Sequence, residues 1–120
     1  MPLSGRRQER LQDQIRSEVA VMISEELKDP RIGFATVTRV ELSADLGHAR
    51  ILVSVLGSEQ VQQSTLEGLT SAAGYLRREI ARRLSLRRAP ELTLVLDHGP
   101  EEGQKIEALL EKLKNDKLVP

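Results

Sequence analysis

Apolar residues recur along this 120-residue chain with two different periods, and the order of those periods confines it to few architectures. Leu11, Ile15, Val19, Met22, Ile23 and Leu27 follow one another at helical spacing and form a single stripe, predicting a helix over residues 5–28. Asp29-Pro30 ends it, because proline pushes the residue before it out of the helical region. The period then drops to two. Residues 34–43 are rich in Thr and Val. In 48–56, Ala49, Ile51, Val53 and Val55 alternate with Arg50, Leu52, Ser54 and Leu56. Two strands joined as a hairpin through Ala44-Asp45-Leu46-Gly47 account for both runs. Their second face is only partly polar, so it is expected to be covered or to bind something.

Helical spacing returns with Leu66, Leu69, Ala73, Leu76, Ile80 and Leu84, and its phase runs straight through Gly74. One long helix over 58–86 and two helices joined at a kink fit that pattern equally well. Ala89-Pro90 closes the helical stretch, and Leu92, Leu94 and Leu96 share one face of a third strand over 92–97. Gly99-Pro100 then opens a short C-terminal helix over 100–115, carried by Ile106, Leu109, Leu110 and Leu113, before a frayed tail. The second and third strands are joined through helical material and should therefore run parallel, whereas the first two are antiparallel. The expected fold is α+β: a mixed three-stranded sheet covered on one face by helices, with 1–120 forming one domain and about 6–97 its core.

Composition removes whole classes of function. There is no cysteine, so disulfides and thiolate chemistry are excluded, and two histidines make a His-rich metal site untenable. One Phe and one Tyr leave no aromatic platform on which bases could stack. No apolar run reaches the roughly 20 residues of a membrane span, and the polar, basic N-terminus does not read as a secretory signal. A cytoplasmic protein is expected. No Gly-x-Ser-x-Gly elbow or phosphate-binding loop occurs, His48 and His98 read as surface histidines, and Glu101-Glu102 suits a helix first turn. No catalytic residue, metal or cofactor is expected.

The formal net charge of zero conceals a segregation. Residues 77–88 hold Arg77, Arg78, Arg82, Arg83, Arg87 and Arg88 against Glu79 alone, while 97–112 hold five acidic residues against two lysines. Thirteen of the 18 basic residues are arginine, the side chain whose fork fits a phosphate. A local field of this kind attracts an anionic partner whatever the total charge.

The αββααβ order is that of a type II KH domain, an RNA-binding fold, but its Gly-x-x-Gly clamp loop is missing. Ser71-Ala72-Ala73-Gly74 stands where that loop would fall. Asp29-Pro30-Arg31-Ile32-Gly33, the Thr36 to Ser43 strand, Asp45-Leu46-Gly47-His48-Ala49, Val53-Ser54-Val55-Leu56-Gly57 and Ala73-Gly74-Tyr75-Leu76-Arg77 follow in order. Leu86-Arg87-Arg88-Ala89-Pro90-Glu91-Leu92 completes the set. In this ordered set the chain resembles the ribosome-binding factor A family of bacterial small-subunit assembly factors. The resemblance spans about residues 6–110. It implies a KH-like domain in which an Ala-x-Gly kink, here Ala72 and Gly74, replaces the clamp. It also implies binding to the small ribosomal subunit and its rRNA during late maturation and rRNA processing, support of growth in the cold, and a functional link to an assembly GTPase that releases the factor. Leu94, where an aromatic is usual, and Gly99, where a serine is usual, depart from the family pattern.

With so few aromatics, recognition should rest on arginine contacts to phosphates and on RNA shape. Arg78 and Arg82 lead the candidates, flanked by Arg77, Arg83, Arg87 and Arg88, with Arg31 and Arg50 beyond them. Ala72 and Gly74 would act through backbone geometry, as a small pair that lets the helix bend and a backbone approach. A monomer that acts by binding is expected. A protein-docking module using Leu52 and Leu56 is the competing class, and a general RNA chaperone a third.

Overall fold

A computed structural model describes residues 3–98, and its elements follow the two periods of the sequence. The first helix, α1 (Leu3–Val21), turns Leu11, Ile15 and Val19 inward. It does not reach Lys28 as an α-helix. A single π-helical turn over Met22–Glu26 closes with Leu27 N–H donating to the Met22 carbonyl at 3.0 Å, after which Leu27 is extended. The wider turn keeps Met22 and Ile23 buried and directs Glu26 toward Tyr75 and Arg83.

Strands β1 (Ala35–Leu42) and β2 (His48–Val55) pair antiparallel, and β3 (Glu91–Leu96) joins β2 in parallel, giving the order β1-β2-β3. Val37 lies opposite Val53, but Arg39 lies opposite Leu52, so a bulge leaves Thr38 over. Its hydroxyl donates to Asp97 Oδ2 at 2.7 Å. The inner sheet face carries Val37, Val40, Leu42, Ala49, Ile51, Val53, Leu92 and Leu94 into one apolar cluster with the helical stripes. Leu52, on the other face, is buried as well, so of the Leu52–Leu56 pair only Leu56 is exposed.

The stretch between β2 and β3 is two helices, α2 (Glu59–Ser71) and α3 (Ala73–Arg83), broken at Ala72. Ser58 caps α2 by accepting the Val61 N–H, and Leu69, Leu76 and Ile80 bury the shared stripe completely. The backbone approach expected at Gly74 occurs instead at Gly68. A Cβ built there would stand 2.7 Å from Ile32 Cγ1, whereas one at Gly74 meets only Arg78 Nη1 at 3.5 Å. Thr65, fully buried on the same side of α2, accepts the Gly33 N–H at 3.0 Å and so stitches α2 to the loop after Pro30. The helix expected over 100–115 lies outside the described residues.

Candidate nucleic-acid interface

The arginines singled out in the sequence separate into three groups. Arg31, Arg77 and Arg83 are structural anchors. Arg31 forks onto Asp29, with Nη2 at 2.7 Å from Oδ2, and reaches Ser71 Oγ at 3.1 Å, tying the Pro30 loop to the end of α2. Arg77 donates twice to the Ala89 carbonyl, at 3.2 and 3.3 Å, fixing the approach to β3. Arg83 is held by Glu26 at 2.6 Å, Glu79 at 3.1 Å and Glu18 at 3.6 Å, which clamps α3 to α1 and the π turn.

Arg50 and Arg82 are exposed but paired. Arg82 binds Glu79 one turn back at 2.8 Å, and Arg50 shares Glu41 with Arg39 on the sheet face turned away from the described helices. Exposed pairs of this kind contribute little to stability and exchange readily for a phosphate. Among the described residues, Arg78, Arg87 and Arg88 are exposed and form no salt bridge or hydrogen bond. Arg78 projects from α3 beside the open surface of Gly74.

The end of α3 decides where Arg87 and Arg88 go. Leu86 N–H bonds back to the Ala81 carbonyl at 2.9 Å and Ser85 N–H to that of Arg82 at 3.4 Å, with Ser85 at φ 54°, so the helix closes in a Schellman turn. The turn puts Leu86, Arg87 and Arg88 on the wall of a cleft of about 440 Å³, opposite Arg7 and Arg10 of α1 and beside Leu46 of the hairpin turn. Arg7 and Arg10 were not expected in the site. Their three-residue spacing next to Leu11 is the sequence signal that could have suggested a shared helix side, but nothing local links them to a loop some eighty residues on.

The carboxylates in these anchors titrate low. Arg83, and after it the Tyr75 hydroxyl, hold Glu26 below its ordinary 4.5; Arg82 does the same for Glu79, and Arg31 holds Asp29 below 3.8. A carboxylate depressed in the folded state contributes stability that is complete above its ordinary value and is lost as pH falls toward the lowered one. The melting temperature should therefore be flat near neutrality and fall below about pH 4.5. An Arg83→Met variant should melt lower at pH 7 and show a shallower acid drop, since Glu26 loses its main partner. An unchanged acid slope in a pH series of thermal melts would contradict this assignment.

Residues 7–110 match the family model described as Ribosome-binding factor A. The chain is 49% identical over 112 residues to ribosome-binding factor A of Thioalkalivibrio sulfidiphilus, covering 93% of this chain and 87% of that one. It is similar to the crystal structure of ribosome-binding factor A from Thermus thermophilus, with a TM-score of 0.68, 30% identity, and coverage of 78% of this chain and 99% of that one. It also matches a Thermus thermophilus ribosome binding factor A homology model fitted into a cryo-EM map of its 30S complex. There the TM-score is 0.62, with 31% identity and coverage of 72% and 90%.

Proposed function

The chain belongs to the ribosome-binding factor A family, and on that premise we propose that it binds the small ribosomal subunit and its rRNA during late maturation and rRNA processing. It acts in the cytoplasm as a monomer, by binding and not by catalysis, supports growth in the cold, and leaves the subunit when an assembly GTPase completes its step. The similarity to a relative fitted into a 30S complex supports the partner, and the exposed arginines support the mode of contact. The αββααβ frame and the break at Ala72 fit a KH-like module without its clamp loop.

Arg78 and Arg82 supply the phosphate contacts on α3, Arg82 by exchanging Glu79 for a phosphate, and Arg87 and Arg88 extend them past the helix end. Arg50, on the other side of the sheet, makes a separate and weaker contact. Arg31, Arg77 and Arg83 act by holding this surface in shape, and Ala72 with Gly74 sets the angle between α2 and α3.

Co-sedimentation with free small subunits, large subunits and whole ribosomes at two salt concentrations tests the proposal. The chain should migrate with free small subunits alone, less at higher salt, and the Arg78→Glu, Arg82→Glu double variant should bind on the order of tenfold more weakly. Failure to migrate with small subunits at either salt sinks the function. A salt-insensitive complex with a protein would instead favour the protein-docking module, for which the adjoining Phe34 and Leu56, 84% and 79% exposed, are the available surface.

A further inference from the structure

The cleft at the end of the sheet is built from distant parts of the chain, and its composition is unusual. Two guanidinium groups face it from each side, Arg7 and Arg10 from α1, Arg87 and Arg88 from the loop before β3, while Leu46 and Leu86 give it an apolar wall. Four like charges brought together without a carboxylate among the lining residues repel one another, and an anion between them removes that repulsion. The nearest acid of the hairpin turn, Asp45, is engaged with the Ser43 hydroxyl at 2.6 Å and the Gly47 N–H at 2.9 Å.

A second observation points to the same place. Among the described residues, two that are not glycine have positive φ, Leu46 at 60° and Ser85 at 54°. Leu46 is in the cleft wall and Ser85 immediately precedes Leu86. Gly47 stands next to Leu46 and would take the left-handed conformation at no steric cost, yet the turn places leucine there. Strained backbone of this sort concentrates where a ligand constrains the geometry.

Resting on the reading of the chain as an rRNA-binding factor, we infer that this cleft receives one unstacked nucleotide of a single-stranded RNA segment. The phosphates on either side of the nucleotide lie against the arginines, Arg7 with Arg10 on one and Arg87 with Arg88 on the other. The base lies on Leu46 and Leu86 and is flanked by guanidinium planes, which stack on bases in the absence of aromatic side chains. The volume of about 440 Å³ is within the range of small-ligand sites and admits a single nucleotide. A duplex, whose bases are paired and stacked, cannot enter it.

Fluorescence anisotropy of the full chain with a short labelled oligouridylate, titrated at several salt concentrations, tests the inference. The Arg10→Gln, Arg88→Gln double variant should bind about tenfold more weakly, with its log–log salt slope smaller by roughly 1.4, the value for two lost phosphate contacts on a single strand. Leu46→Gly relaxes the backbone and removes the wall. It should weaken binding severalfold with an unchanged salt slope, and its melting temperature reports on folding. Wild-type affinity in the arginine variant overturns the inference. So does pyrophosphate competing as tightly as the oligouridylate, which would make this a free-anion site, or a duplex of the same length binding equally. Migration of the unaltered chain with small subunits is scored separately, so loss of the cleft's role and loss of the ribosomal function give different results.

Discussion

Replacing Gly68 by leucine should lower the unfolding free energy by about 3 kcal/mol or more, whereas Gly74→Ala should raise it by about 0.5–1 kcal/mol. Both glycines sit inside helices, and on propensity alone each substitution would stabilise by up to about 1 kcal/mol. Space separates them. At Gly68 the first added carbon already stands 2.7 Å from Ile32 Cγ1 and 3.4 Å from Arg31 Cβ, so α2 must lift away from the Pro30 loop. Lifting it breaks the bond from Gly33 N–H to Thr65 Oγ1 and strands a buried donor, a loss of about 1–3 kcal/mol. At Gly74 the added carbon meets a single movable guanidinium at ordinary contact distance. Urea unfolding of the two variants beside the unaltered chain checks this. Equal midpoints for all three proteins would remove Gly68 as the contact that seats α2.

The sequence made the frame readable because periodicity reports burial directly. Leu11, Ile15 and Val19, the alternation through Ile51 and Val53, and Leu69, Leu76 and Ile80 occupy the core as their spacing requires. It did not show the π turn, because Val19, Ile23 and Leu27 keep a four-residue spacing whether or not one residue is added to the last turn. Nor did it show the reversal after α3. A Schellman end ordinarily announces itself with glycine, and here Ser85 takes that conformation. The arginines were visible as a charge run, but their roles were set by partners far away in sequence: Glu26 lies 57 residues before Arg83, and Arg7 and Arg10 face Arg87 and Arg88 only once the chain has folded. A charge run in sequence cannot separate an anchor from a free cation, because the difference lies in tertiary geometry.

Truncating Ile51 to alanine should remove about 2–5 kcal/mol of stability and leave the charge-dependent part of RNA binding as it was. Ile51 is fully buried in the central strand, opposite Val40 on one side and Leu94 on the other, so no neighbour can collapse into the void without disturbing both pairings. A domain of this size holds on the order of 5–15 kcal/mol, so most molecules should still be folded at 25 °C, with a lower urea midpoint and an earlier melt. The folded molecules keep Arg78, Arg82 and the cleft in place. Their log–log salt slope for the oligouridylate should therefore match that of the unaltered chain even if the apparent affinity falls with the folded fraction. The arginine variants should behave in the opposite way, keeping the melting temperature and losing the slope. If Ile51→Ala changed the slope, the arginine surface would depend on the packing of the sheet centre, and the division between a core that sets stability and a surface that sets binding would fail at that residue.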